Sequence, residues 1–425
     1  MFRKHSPFRL ALAAILLLPP MLPAEELRPT IWVCSDMSDP RDQRSGGHPF
    51  NDPDDICSMA ALLLEANRFE IAGIVFSSTN RQNLPDATEF VESTFVEAYR
   101  QAREPLNAAL GGFPEEIPFI RSSITGGAEA GRFDPERDYT DLSALATVRG
   151  LVEVASREPV YVLNWGPLTE SAMAVKHCID TGNTKALENI TILSHWTRSF
   201  IAQGTPEAPE KVANCRDDAR ACAWLHELAA EGILKFIELG SVGQTGIVNG
   251  SDGYPRADSF RHSRLGQVFI HSKFYHGKPD QSDASTFWLL GGAFGPDLES
   301  YPADGRLTRA DEERVRDLFL KNGPAILDDL LLRSEIASRG GEPFPGSFIA
   351  ARFTYVYQYL NGRYYIYLPY HAEVSIRDAL GELFLEDSYG AGNHELDFSM
   401  AAPSTYTVTV RTGGLERTFS LVKNP

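Results

Sequence analysis

The chain has 425 residues, of which 43% are hydrophobic, and a formal net charge of −17 at pH 7. This length predicts two domains rather than one, and the hydrophobic content excludes a mainly disordered chain. The acidic balance argues against nucleic acid or an anionic membrane as partner, because both are bound through basic surfaces.

The N-terminus has the composition of an export signal. Basic residues, including Arg3 and Lys4, precede an apolar run over residues 10–18. This run is shorter than the roughly 20 residues that span a bilayer, which favours a cleaved signal peptide over residues 1–24 rather than an uncleaved anchor. We therefore expect a secreted, periplasmic or cell-surface protein with no integral membrane segment after cleavage.

Residues 30–77 have the pattern of a strand, a helix and a second strand. Residues 30–35 and 69–77 are apolar, β-prone runs, and an apolar stripe at helical spacing lies over residues 54–64 between them. The alternation continues, with strands predicted at 159–164, 190–193 and 233–239 and helices at 88–102 and 217–230. Together these segments predict an α/β domain with a doubly wound, mostly parallel sheet over residues 25–340.

The residue pattern of the sequence changes after a Gly- and Pro-rich, linker-like stretch at residues 339–346. Residues 405–422 alternate in polarity around two glycines and predict a hairpin. We expect residues 347–425 to form a small antiparallel, sandwich-like β module. Residues 374–382 and the final strands are also similar to C-terminal sorting domains of type IX secretion; an Ig-like module that packs on the first domain is the plainer alternative.

Five cysteines in an exported chain leave at least one of them without an intrachain partner. Cys215 and Cys222 could form a disulfide, as could Cys34 and Cys57. The sequence has no C-x-x-C motif, so we expect no structural zinc site.

Carboxylates gather at one predicted edge of the sheet. Asp36 follows the first strand, and the segment Asn51-Asp52-Pro53-Asp54-Asp55 leads into the next helix. Ligands of doubly wound folds bind beyond the carboxyl ends of the strands, and crowded carboxylates are relieved by a cation with oxygen ligands. The alternative is helix capping by Asp52 or Asp54, which leaves Asp36 unexplained.

The order of these motifs resembles that of the calcium-dependent nucleoside hydrolases. It is closer still to their exported relatives, the nucleoside hydrolase-like domain of cellulose-binding Sde-type proteins. The matching segments are Asp-Pro-Asp-Asp at 52–55, Leu-Leu-Glu-Ala-Asn-Arg-Phe-Glu-Ile-Ala-Gly-Ile at 63–74, Gly-Pro-Leu-Thr at 166–169, Asn214 with Asp217-Asp218-Ala219, and Ser-Asp-Ala-Ser-Thr-Phe at 282–287.

The resemblance implies a cofactor and its ligands. Ca²⁺ would be held by Asp36, Asp55, Asp283 and the backbone carbonyl of Trp165, and Asp36 would also take a proton from a metal-bound water. Asp280 competes with Asp283 for the late position, but the apolar run that follows favours Asp283.

The resemblance also implies the substrate contacts. Asp54 would bind a sugar hydroxyl, and Asn80 and Asn214 would contact the sugar. His195 follows a predicted strand and could meet the leaving base or the sugar; the alternative is that it forms a wall of the crevice.

Two departures from the family pattern bear on the substrate. About fourteen residues separate Asp36 from Asn51, where the family motif is compact, and Asp39 or Asp42 in this loop could supply a ligand, although solvated loop acids are favoured. Val212 stands where the family has a glutamate that holds a sugar hydroxyl, which puts a standard nucleoside in question.

Two functions follow from the sequence. The first is an exported, calcium-dependent hydrolase of the N-glycosidic bonds of ribonucleosides or related sugars. The alternative is a non-catalytic protein that binds cellulose or another polysaccharide on the same fold.

Overall fold

The structure, a computed structural model, describes residues 28–39, 52–78, 86–124, 132–275, 277–294, 298, 301–358 and 362–423. The predicted signal peptide and two residues of the predicted site, Asn51 and Asn80, lie outside these ranges, as does Asp42. Among the described residues, no helix combines the length and the apolar character that crossing a bilayer requires.

The first part of the chain is built on a six-stranded sheet in which all neighbouring strands are parallel. The strand order is β3-β2-β1-β4-β5-β6. The strands are β1 Thr30–Cys34, β2 Glu70–Phe76, β3 Phe119–Arg121, β4 Val160–Asn164, β5 Ile190–Ser194 and β6 Lys235–Glu238. This order confirms the predicted doubly wound α/β class.

Helices cover both faces of this sheet. They are α1 Pro53–Leu64, α2 Asp86–Val91, α3 Glu97–Leu110, α4 Ala146–Ala155, α5 Thr169–Thr181, α6 Thr184–Asn189, α7 Ala213–Arg216, α8 Ala219–Ala230, α9 Arg264–Ser272, α10 Ser285–Leu290, α11 Arg309–Ala337 and α12 Gly346–Phe353. Successive β1 side chains point to opposite faces, so Ile31 and Val33 join one core and Trp32 and Cys34 the other.

Some elements differ from the prediction. The helix predicted at 88–102 is interrupted by a π-helical segment at Glu92–Val96 and continues to Leu110. The 29-residue helix α11 was not predicted. The linker-like stretch packs closely: a Cβ on Gly340 would lie 2.0 Å from the backbone oxygen of Gln101.

The C-terminal part contains two antiparallel sheets, as predicted. Their strands are β9 Tyr355–Gln358, β10 Tyr364–Leu368, β11 Ala372–Arg377, β12 Leu383–Tyr389, β13 Gly392–Leu396, β14 Ser404–Thr412 and β15 Leu415–Lys423, in the orders β13-β10-β9 and β12-β11-β14-β15. Side chains of both sheets share one core. The predicted hairpin turns at Gly413 and Gly414, whose φ angles of +57° and +78° suit a two-residue turn.

The three-stranded sheet also joins the two parts of the molecule. Tyr355 and Tyr367 belong to the large core of the α/β part, whereas Val356 and Ile366 face the four-stranded sheet. The two tyrosines therefore contribute to the contact between the α/β part and the C-terminal β module, together with Ile349 and Phe353. A short two-stranded ribbon, β7 Phe274–Tyr275 and β8 Lys278–Pro279, follows α9.

Candidate functional site

The site lies between β1 and β4, where the order in which strands are added to the sheet reverses. After β1 the chain crosses to β2 on one side, and after β4 it crosses to β5 on the other side. The carboxyl ends of two such strands border a crevice. Asp36 follows β1 and Trp165 follows β4, and the Trp165 N–H donates to the Cys34 carbonyl at 2.9 Å.

Three carboxylates meet in this crevice. Asp36, Asp52 and Asp55 each offer one ligand atom, and these atoms all lie within 4.8 Å of one another. Ser35 Oγ donates to Asp55 Oδ1 at 2.5 Å and orients that side chain. Asp52 was not predicted as a ligand, although the Asp-Pro-Asp-Asp motif contains it.

The alternative of helix capping does not account for Asp52. It occupies the N-cap position of α1, but within the described part of the chain its side chain does not cap the helix. Its φ of 43° is a conformation that non-glycine residues rarely adopt. Ser77 and Trp196, which follow the ends of β2 and β5, also have positive φ angles, so strained backbone recurs along this edge of the sheet.

Gly166 allows the β4 end to approach Asp36. A Cβ on Gly166 would lie 2.5 Å from Asp36 Oδ1. The peptide that follows Trp165 therefore lies directly against the Asp36 carboxylate, where the resemblance expects a carbonyl ligand.

Asp283 faces the same group of acids. It lies in a short 3₁₀ turn before α10 and is buried. Burial raises the Asp283 pKa well above its usual value, and repulsion from Asp55, Asp54, Asp280 and Asp36 raises it further. Among the described residues, its Oδ2 atom has no hydrogen-bond partner.

This donor set fits a hard divalent cation. Its atoms are carboxylate oxygens, which Ca²⁺ prefers. A bound cation would reduce the repulsion between Asp283 and the neighbouring carboxylates. A buried carboxylate oxygen without a hydrogen bond is costly unless another ligand satisfies it. Asp36, Asp52, Asp55 and Asp283 would therefore hold the ion, with the Trp165 carbonyl, which the resemblance implies, as a fifth donor.

A buried lysine lies beside this cluster. Lys273 Nζ is 3.0 Å from Asp54 Oδ2 and 3.0 Å from Asp280 Oδ2. The predicted sugar ligand Asp54 is thus paired with an ammonium group, and Asp280 is turned to the lysine. Lys273 was not predicted as a site residue, because no sequence motif contains it.

His195 is buried beside Asp283. Its Nε2 atom is 3.7 Å from Asp283 Oδ1, and its Nδ1 atom is 3.4 Å from Ser285 Oγ. Burial lowers the His195 pKa to about 4, although the charges of Asp54 and Glu238 act in the opposite direction. The imidazole is therefore neutral at pH 7, and its contact with Asp283 is not an ion pair.

Asn214 holds backbone in place. Its Nδ2 atom donates to the Trp165 carbonyl at 3.1 Å and to the His195 carbonyl at 2.8 Å. The side chain therefore bridges the ends of β4 and β5, and its predicted sugar contact would have to use Oδ1.

Asp39, which was expected in a solvated loop, is buried.

A disulfide lies beside Asn214. Cys215 and Cys222 are joined, with their Cα atoms 5.3 Å apart. All five cysteines lie in the described ranges, and Cys34, Cys57 and Cys178 are buried free thiols. The second pairing that the sequence allowed, Cys34 with Cys57, does not form.

The chain is similar to proteins of one family. Residues 48–196 match the family described as cellulose-binding Sde182, nucleoside hydrolase-like domain. Among solved structures, the chain resembles a nucleoside hydrolase-related hypothetical protein from Saccharophagus degradans that is associated with carbohydrate metabolism; the sequence identity is 15% and the TM-score 0.45, over 93% of this chain and 98% of that one. No curated protein matches. The matched segment contains Asp52, Asp55, Trp165 and His195.

Proposed function

We propose that this protein, whose residues 48–196 match the family described as cellulose-binding Sde182, nucleoside hydrolase-like domain, is an exported, calcium-dependent hydrolase of N-glycosidic bonds in ribonucleosides or related sugars. The observation that carries the proposal is the meeting of Asp36, Asp52 and Asp55 within 4.8 Å at the carboxyl edge of the sheet. The Cys215–Cys222 disulfide agrees with export, because disulfides persist in oxidising compartments.

The carboxylates of the crevice supply the chemistry. When bound, Ca²⁺ would orient sugar hydroxyls and water, since it accepts six to eight oxygen ligands. Asp36 would accept the proton of the attacking water, and Asp54, fixed by Lys273, would accept a hydrogen bond from a sugar hydroxyl. The negative field of these acids would stabilise the oxocarbenium-like transition state.

His195 limits how the leaving group departs. Because its pKa is about 4, the imidazole is neutral at pH 7 and cannot donate a proton as an imidazolium acid. The proposal therefore assigns His195 to the wall of the crevice and to the support of Asp283, and it favours leaving groups that depart without an imidazolium donor.

Polysaccharide binding without catalysis is the second candidate. Val212 is buried and packs so closely on Gly204 that a Cβ there would lie against its methyl group. An apolar packing residue thus replaces the acid that would hold a sugar hydroxyl. The family description also names cellulose.

Release of free base from a panel of ribonucleosides, with added Ca²⁺ and with chelator, separates the two candidates. The proposal predicts release that requires Ca²⁺ and is lost in Asp36→Asn, while exposed Asp141→Asn retains it. If no nucleoside is turned over and the protein still binds cellulose in chelator, hydrolysis is ruled out and the binding function remains.

A further inference from the structure

Lys273 is a buried cation at the edge of the acidic crevice. Only 7% of the residue is exposed, and its ammonium group contacts Asp54 and Asp280 at 3.0 Å each. Lysine is almost never buried unless it is paired. The position of Lys273 therefore sets both the orientation of Asp54 and the net charge beside the proposed cation ligands.

The backbone on both sides of Lys273 is held by the C-terminal module. Tyr367 Oη donates to the His271 carbonyl at 2.9 Å and accepts from the Phe274 N–H at 3.0 Å. Tyr355 Oη donates to the Ser272 carbonyl at 3.1 Å. Three hydrogen bonds from two tyrosines thus bracket Lys273.

Two of these bonds satisfy carbonyl groups that the helix leaves without a partner. The last four carbonyl groups of an α-helix have no partner within the helix, and α9 ends at Ser272. Lys273 then turns to an extended conformation, with φ −148° and ψ 99°. Buried carbonyls at this point require donors, and the tyrosine hydroxyls provide them.

The two tyrosines form a rigid unit. Their rings stack with centroids 4.9 Å apart and an interplanar angle of 25°. Both side chains are buried, and their strands β9 and β10 pair through Tyr355 and Tyr367 themselves.

Lys273 also positions Asp280 through its backbone. The Asp280 N–H donates to the Lys273 carbonyl at 2.9 Å.

We propose that the C-terminal β module is part of the functional site, because Tyr355 and Tyr367 cap α9 and thereby position Lys273 against Asp54 and Asp280. Lys273 acts as an internal counter-ion that lowers the negative potential at the proposed cation ligands. The inference rests on the proposed function, because it names the residues that regulate that cation site.

The affinity for Ca²⁺, measured by titration calorimetry at pH 8, tests the role of Lys273. Removal of its positive charge in Lys273→Met should tighten Ca²⁺ binding about tenfold, because the ion and the lysine repel each other. Lys273→Arg, which keeps the charge, should bind Ca²⁺ with the affinity of the unmodified protein. Tyr367→Phe should shift the affinity in the same direction, and the double variant Lys273→Met/Tyr367→Phe should bind no differently from Lys273→Met alone.

Tyr406→Phe is the matched control. Tyr406 Oη donates to the Ala402 carbonyl at 2.8 Å, within the C-terminal module, so loss of this hydroxyl should leave the affinity unchanged. Hydrogen exchange of peptides covering residues 271–280 gives a readout without Ca²⁺: Tyr367→Phe, and to a smaller degree Tyr355→Phe, should raise exchange there, whereas Tyr406→Phe should not.

The outcomes separate the inference from the proposed function. If the unmodified protein binds no Ca²⁺, the proposed function fails, and the exchange experiment still decides whether the tyrosines position the segment. If it binds Ca²⁺ but Lys273→Met and Tyr367→Phe leave the affinity unchanged, or if their effects simply add, the inference is overturned.

Discussion

Gly166 carries no side chain where the backbone meets the Asp36 carboxylate. A methyl group at this position would lie 2.5 Å from Asp36 Oδ1 and 2.6 Å from its carboxyl carbon. These distances are well inside van der Waals contact, so either the strand end or the aspartate must move. The glycine thus determines where the first acid of the cluster lies.

Gly166→Ala should therefore weaken Ca²⁺ binding about tenfold, because overpacking of this kind costs about 1–3 kcal/mol. Gly390→Ala is the control, since no described atom lies within 4 Å of a Cβ there and its φ is not positive. Calorimetric titration of both variants measures the effect. Equal affinity in the two would show that Asp36 is not held by this contact.

His271 makes the fold sensitive to acid. Its ring lies 4.8 Å from that of Tyr370, and burial lowers its pKa to about 3, with the Arg261 charge acting in the same direction. In the unfolded chain a histidine titrates near 6.5. Since the unfolded state then binds the proton first, the free energy of unfolding falls as the pH decreases from about 6.5 towards 3.

The loss attributable to His271 at pH 5 should be about 2 kcal/mol. His271→Gln should remove this part of the pH dependence, so that its free energy of unfolding changes about 2 kcal/mol less between pH 7 and pH 5. Urea denaturation of both proteins at the two pH values measures it. Parallel pH profiles would contradict a neutral, buried His271.

Individual site residues differed in how far the sequence predicted them. Asp36 and Asp55 were predicted as neighbours because they follow a strand and open the next helix, and the fold brings both to one edge. Asp52 was interpreted as a possible cap, since only the backbone geometry separates a cap from a ligand. Lys273 could not be predicted, because its partners lie 219 and 7 residues away in the chain.

At the scale of elements, α7 depends on its neighbours. It has four residues, too few to be stable alone, yet it carries Asn214, which bridges the carbonyls of Trp165 and His195. The disulfide from Cys215 to Cys222 ties it to α8. The covalent link therefore supports the backbone carbonyl that is the proposed ligand.

Loss of this disulfide in Cys215→Ser/Cys222→Ser should lower the free energy of unfolding by about 2.5 kcal/mol, the value expected for closing a loop of this length. Denaturation with and without reductant measures it. Reductant should destabilise the unmodified protein and leave the double variant unchanged; an unmodified protein that is indifferent to reductant would contradict a structural role.

The strands were easier to predict than the helices. Buried parallel strands are continuous apolar runs between polar loops, which is why β1, β2, β4 and β5 were placed within one or two residues. Helix α11 was missed because its many charges obscure the apolar stripe, although Thr308 caps it by accepting from the Asp311 N–H.

At the scale of the whole molecule, the sequence predicted two parts separated by a linker-like stretch, with a C-terminal module that packs on the first part as the plainer alternative. In the structure, side chains of both parts share one core. The C-terminal module was predicted as a β structure from its alternation. The alternation indicates which residues are buried, but it does not indicate whether they face the core of the module or that of the α/β part. Tyr355 and Tyr367 face the α/β part, where they hold the end of α9.

Titration of Ca²⁺ into the unmodified protein and into Asp55→Asn tests the central claim most directly. We expect one ion per chain and an affinity reduced at least about tenfold by Asp55→Asn, with the affinity of exposed Asp141→Asn unchanged. Absence of Ca²⁺ binding by the unmodified protein, or equal affinity in Asp55→Asn, would contradict a cation site at the carboxyl edge of the sheet.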